Sequence, residues 1–257
     1  MSPSEKRRLL LGAGLGMTAM PVVLGSAGLV NMLFRSGKFR KALAGTPDSD
    51  KRTLEELKED GTIPKGSRIL RGADEIARAA DESDRKLVKN PFRLWYNRVW
   101  LNPLLARSVR SGNNALFMGD SGGKPVLAFP DRLIPRGMVA HELGHHRASK
   151  LRRSHDDYMR EYDSAPNGRL MDLFSPGRLR TSDGRLTRVG LENEAWDLAG
   201  VPADNRLRRS AIGTYKSLSL YNSLRKAGLL SSAVGLGLML YALKKYPRTW
   251  YGVVREA

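Results

Sequence analysis

Leu9 to Phe34 is a run of 26 residues without one charged side chain. Nothing else in the chain limits its folding more. An apolar stretch of that length must satisfy its backbone N–H and C=O groups internally, and a helix does so. Lys6, Arg7 and Arg8 precede it, and Arg35, Lys38, Arg40 and Lys41 follow. The run is long enough to cross a bilayer with some tilt. Gly12 and Gly16 make a small-xxx-small step that suits close helix contact in lipid. The Arg7-Arg8-Leu9-Leu10-Leu11 start and the Gly25-Ser26-Ala27 triplet also fit a cleaved signal segment. The continuation past Ala27 to Phe34 favours a retained anchor.

A second run, Ala227 to Leu243, holds 17 uncharged residues between Arg225-Lys226 and Lys244-Lys245. It is short for a span, but flanking basic side chains can snorkel to the interface. Tyr241, Tyr246, Trp250 and Tyr251 supply interfacial aromatics. We read it as a second transmembrane helix, against the alternative of a buried core helix. Two spans would put both termini on one side and the intervening domain on the other.

That domain carries the chemical signal. Residues 141–145 read His141-Glu142-Leu143-Gly144-His145. On a helix, residues four apart share a face, so both imidazoles can turn toward one metal ion. Glu142 lies beside them, where its carboxylate can act as general base to a water. Met138-Val139-Ala140 and Leu143-Gly144 make the helix apolar enough to be buried. The chain has only four histidines, and the other two, His146 and His155, are not on the metal-facing positions. With no cysteine, a metal site must be built from imidazole and carboxylate. A hydrolytic zinc site wants three protein ligands and an open position. The third is not a histidine six residues on, because Leu151 stands there.

Residues 191–199, Leu191-Glu192-Asn193-Glu194-Ala195-Trp196-Asp197-Leu198-Ala199, resemble the Glu helix of the gluzincin metallopeptidases. The likeness is closest to the membrane-embedded HtpX-like and CAAX-prenyl-endopeptidase families, with their E-x-E-A-D-x-x-A pattern. The resemblance implies Glu192 as third ligand, Glu194 as the second acidic position, and Ala195 and Ala199 as small residues that let this helix approach the first. One residue departs: the family's Asp, which orients a ligating histidine, is Trp196 here, and Asp197 is shifted by one. Upstream, Asn113 to Met118, Gly119 to Gly123 and Lys124 to Phe129 read as strand, turn, strand. By the same resemblance 124–129 is the edge strand along the cleft, where an extended peptide could add.

The remainder is less patterned. Thr46 to Asp50 is a polar linker, and 51–60 and 73–89 are helix-like. Phe92 to Leu105 mixes aromatics with Arg93 and Arg98, and suits a membrane interface or a core helix equally. Residues 164–187 are irregular, as a lid or tether would be. Ala203 to Lys226 reads as an amphipathic helix. The net charge of +18 is spread through the polar part and favours an anionic bilayer. No base-stacking ladder or nucleic-acid module is present, so a membrane surface is the better reading. A basic membrane-surface or nucleic-acid-binding protein with an accidental HExxH is the third alternative.

The reading is therefore an α+β, zincin-like domain over 111–202, with a small antiparallel hairpin and an HExxH helix. It is preceded by an anchor or signal segment at 1–34 and a helical, partly interfacial region at 35–110. It is followed by an amphipathic helix at 203–226 and a second span with a basic tail at 227–257. His141, His145 and Glu192 would hold one Zn²⁺, with Glu142 catalytic. Tyr158, Tyr162, His155 and Arg188 are candidates to steady a developing oxyanion. The resemblance implies a membrane-anchored endopeptidase acting on membrane-associated polypeptide. Trp196 motivates the alternative, a membrane scaffold with a catalytically degenerate zincin fold.

Overall fold

The computed structural model describes residues 1–110, 115–130, 133–167 and 179–246. The chain divides into two compact units. One contains Met1–Phe34 and the last helix from Lys216 onward; the other contains Arg35–Pro166 and Arg178–Tyr215.

The first unit is a helix pair. Helix α1 spans Pro3–Ala44 and helix α9, the last, spans Arg206–Lys245; both are long and apolar enough to cross a membrane. They meet through residues spaced by seven on each chain, running in opposite directions. Gly14 faces Gly235, Pro21 faces Gly228 and Gly28 faces Tyr221. A Cβ on Gly235 would lie 2.6 Å from the Gly14 carbonyl oxygen, and one on Gly228 would lie 2.6 Å from Pro21 Cα. The glycines are therefore what allows the backbones to touch. Ser231 Oγ adds a hydrogen bond to the Met17 carbonyl at 3.3 Å. Gly12 and Gly16 are not part of this contact: among the described residues no atom lies within 4 Å of where a Cβ would stand on either. Both lie two residues from Gly14, about 200° round the helix and so on its far side.

In the second unit, a 3₁₀ turn at Asp48–Asp50 leads to strand β1, Lys51–Arg52, and helix α2, Leu54–Glu59. The helix expected from Lys51 starts only at Leu54. Thr53 closes a capping box with Glu56, and Lys51–Arg52 pair antiparallel with β5, Ile134–Pro135. Strand β2 is Arg68–Leu70 and helix α3 is Ala73–Leu87. Helix α4 (Pro91–Tyr96), a π turn (Asn97–Leu101) and helix α5 (Asn102–Arg110) follow. The hairpin is β3, Leu116–Ser121, and β4, Lys124–Ala128. Gly122 and Gly123 take positive φ at its turn, as a tight hairpin requires.

The sheet order is β2-β4-β3, with β2 parallel and β3 antiparallel to β4. This corrects one expectation: 124–129 forms the central strand and β3 the edge. Val126, Leu127 and Ala128 form a continuous apolar run, and Leu127 and Ala128 are completely buried, as in a strand covered on both sides. The sequence signal for β2 is only three residues long, which is why it escapes notice.

Helix α6 spans Arg136–Lys150, α7 His155–Ser164 and α8 Arg188–Leu198. The main core gathers Leu57, Ile63, Leu127, Phe129, Ile134, Val139, Leu143 and Trp196 around α6. Tyr158 and Leu191 pack with Ala148 on its other flank. Of the stretch read as lid or tether, 168–178 lies outside the described residues.

Candidate metal centre

Helix α6 is buried along most of its surface, and its polar residues at 141, 142 and 145 are buried with it. Gly144 is the reason a second helix can come so close. A Cβ there would overlap the carbonyl oxygen of Ala195 on α8. With glycine at 144 and alanine at 195, the two backbones touch, and Glu192, one turn before Ala195, swings toward the histidines. Helix α8 is fixed at its start by Thr187, whose hydroxyl accepts from the Gly190 N–H. Gly190 is tight as well, its Cβ position being filled by the Leu179 carbonyl.

The result is a group of three buried donors, His141, His145 and Glu192, whose ligand atoms lie within 4.8 Å of one another. His141 Nε2 and His145 Nε2 are 3.2 Å apart. Glu192 Oε2 is 3.3 Å from the first and 3.5 Å from the second. A tetrahedral ion with bonds of about 2.0–2.1 Å has donor-to-donor edges of about 3.3–3.4 Å, so the triangle fits such an ion. Glu192 is completely buried, and its Oε2 makes no hydrogen bond. A buried carboxylate oxygen without a donor, faced by two imidazole nitrogens, is a donor set suited to a divalent cation.

The surroundings hold each ligand. Tyr158 hydroxyl lies 2.6 Å from His145 Nδ1, so the ring can keep Nε2 free for the ion. Tyr162 hydroxyl donates to Glu192 Oε1. The Arg188 guanidinium sits 3.7 Å over the Tyr162 ring. Trp196 stacks on the His141 ring, with centroids 4.2 Å apart and planes at 19°. His141 Nδ1 has no hydrogen-bond partner. An indole face, and not a carboxylate, thus lies against His141. Asp197 points elsewhere, to Arg208 at 2.5 Å.

Charge states follow from burial and proximity. Burial pushes His141 down to about 4, helped by the neighbouring His145. Burial also works against the charged form of His145, but the Glu192 carboxylate overrides it and the net shift is upward. Burial would raise Glu192; the charge of His145 and the contact from His141 hold it well below the usual carboxylate range. For Glu142, burial and the Glu192 charge outweigh the opposing pull of His145. Burial lifts it to about 7. Its Oε2 accepts the Phe117 backbone N–H from β3 at 2.6 Å, which aims the carboxylate along the edge strand.

A cavity of about 140 Å³ opens beside Glu142 and His145, walled by Leu116, Phe117, Tyr158, Met159, Tyr162 and Tyr215. Its aromatic walls suit an apolar side chain.

The remaining sequence candidates are placed elsewhere. Glu194 pairs with Arg152 at 2.8 Å and takes no part in the cluster. His146 faces Asp120 at 3.5 Å and His155 packs edge-on against Phe117. Tyr158 and Tyr162 are near the ligands, but as partners of His145 and Glu192. Tyr215 lies in the stretch that reads as an amphipathic helix. Its role as a cavity wall has no local signal, since it comes from α9 folding back over 50 residues after α7. Compared with known proteins, the chain matches no family model, no curated protein and no solved structure.

Proposed function

We propose that this chain is a membrane-anchored, zinc-dependent endopeptidase with a zincin-like catalytic domain. The observation that carries the reading is the convergence of His141, His145 and Glu192 from two helices, with Glu142 adjacent and lifted to about 7. His141, His145 and Glu192 would hold the ion. A zinc ion bound there supplies Lewis acidity, polarising a carbonyl and making water acidic near neutral pH.

The chain's own groups do the rest. Glu142 would accept a proton from the attacking water on a carboxylate oxygen and pass it to the leaving amine. The Phe117 N–H fixes that carboxylate. Tyr158 orients His145, Tyr162 braces Glu192, and Trp196 shields His141 from water. The aromatic cavity takes an apolar side chain of the polypeptide substrate. Two helices of spanning length tether the domain to lipid, so membrane-associated polypeptides are the natural substrate class. That last step follows the family resemblance.

A second reading rests on Trp196. An imidazole held by an indole face, with no acceptor for Nδ1, suits a site that holds metal without turnover, in a membrane scaffold. Two measurements separate the readings. Elemental analysis of the detergent-purified chain should give about one zinc per chain, lost in His145→Ala. Cleavage of a denatured, fluorophore-labelled polypeptide should be seen with the wild type and abolished in Glu142→Gln with zinc retained. Zinc without cleavage in both would leave the scaffold; no zinc in the wild type would remove both readings.

A further inference from the structure

From Pro91 to Arg110 the chain is helical throughout, through α4, the π turn and α5. One side is committed inward. Asn97 and Asn102 both donate to Asp84 Oδ2 at 3.1 Å, and Ala106 and Val109 pack into a core cluster with Leu70 and Ile76. Five residues apart on an α-helix point about 140° away from each other. The π turn between them brings both amides onto one carboxylate, and so pins this stretch to α3 in a single orientation.

That orientation leaves the other side bare. Phe92, Trp95, Tyr96, Val99, Trp100 and Leu104 are between 45% and 70% exposed. Of the ten large apolar side chains exposed among the described residues of this unit, seven fall between Phe92 and Leu104; the other three are scattered at Leu133, Leu151 and Leu179. Such a concentration is not what a water-facing surface carries. The sequence along it is basic, with Arg85 and Arg98 both reaching Asp81 on α3. From Arg85 to Gly119 the sequence holds seven Lys and Arg and not one Asp or Glu. Arg93 and Arg107 are exposed, and no ion pair is found for either among the described residues.

We propose that this face is a membrane-interface surface, with its Trp, Tyr and Phe rings seated at the headgroup–acyl boundary of an anionic bilayer and its arginines on the lipid phosphates. Aromatic rings with a polar tip, flanked by arginines whose stems can lie along the apolar zone, match that boundary. A second copy of the chain fits poorly, because Lys86, Lys89, Arg93, Arg107 and Arg110 of this stretch would oppose their own like charges. The proposal does not depend on the peptidase reading, since it concerns a surface and not the metal site.

The absence of native cysteine makes the test direct. Single variants Trp95→Cys, Val99→Cys and Trp100→Cys, with Leu151→Cys as a water-facing control, are labelled with an environment-sensitive fluorophore. The full chain is then assembled in nanodiscs of phosphatidylcholine, with or without phosphatidylglycerol. At 95, 99 and 100 the emission should shift to the blue and be quenched by spin-labelled lipid, more strongly with phosphatidylglycerol. At 151 it should do neither. Arg93→Glu with Arg107→Glu should reduce the shift in the anionic discs. Labels at 95 to 100 that stay as water-exposed as the one at 151 would overturn the proposal. So would blue-shifted labels that lipid does not quench, which would place protein on this face, and so would equal quenching in both lipids.

Discussion

Two helix contacts in this molecule use one device for different ends. In the first unit, α1 and α9 touch through Gly14, Gly228 and Gly235, and the contact repeats every seven residues. In the second, α6 and α8 touch through Gly144 against Ala195, once. The repeated contact joins two apolar faces, with hydrogen bonds from Asn31 to Ser217 and from Ser231 to the Met17 carbonyl among its polar contacts. The single contact carries two imidazoles and a carboxylate into a buried space. Close approach of backbones is thus a neutral tool. What it does depends on which side chains stand one turn away.

The largest expected effect sharpens the chemical side of that contrast. Glu142→Gln should lower peptide cleavage by about 10²–10⁴-fold while zinc stoichiometry stays at one per chain. Unchanged cleavage would show that the α6–α8 contact is not catalytic through this residue. Next, Gly144→Ala introduces the deeper backbone overlap and Gly235→Ala a shallower one; each should cost at least about 1–3 kcal/mol in thermal or denaturant unfolding, the first more. Only Gly144→Ala should also lose zinc, whereas Gly12→Ala should change neither quantity. If Gly235→Ala emptied the metal site, the two contacts would not be separable as drawn.

Tyr158→Phe removes the partner of His145 Nδ1 and should weaken zinc affinity by about 10–100-fold in a competition titration with a chelator. Protons should do likewise. His145 has its folded pKa raised, so its positive charge is gained as pH falls through that value, and metal binding must then displace a proton. Zinc affinity should therefore fall from pH 7.5 toward 5.5, and an affinity flat over that range would contradict the ligand assignment. The smallest effect belongs to Glu194→Gln, which breaks the pair with Arg152. It should cost no more than about 1 kcal/mol of stability and leave zinc content unchanged.

The residues brought together here were legible to different degrees. The pairing of His141 with His145 follows from helical spacing alone. The choice of Glu192 over Glu194 came from resemblance, and the fold supports it for a local reason: Glu192 shares the face of Ala195 that meets Gly144, and Glu194 faces Arg152. Roles that depend on tertiary contact were not legible. Tyr158 was a candidate for steadying an oxyanion and instead meets a histidine from a different helix. Trp196 read as the loss of a polar partner, and its stacking on His141 could not be seen before the two helices were placed. The central place of β4 depends on β2, a strand three residues long and more than 50 residues away in sequence. The face at Phe92–Leu104 read equally as core or interface until Asp84 was seen to fix which side turns inward.

The seven-residue repeat joining α1 to α9 has a consequence in time. Gly14 and Gly235 are about 220 residues apart, and ribosomes add roughly 5–20 residues per second. The first apolar helix therefore waits about 10–45 s, at those rates, before its partner is made. Through that interval its glycine face has no mate within the chain. The order of synthesis thus makes closure of this helix pair one of the last contacts to form.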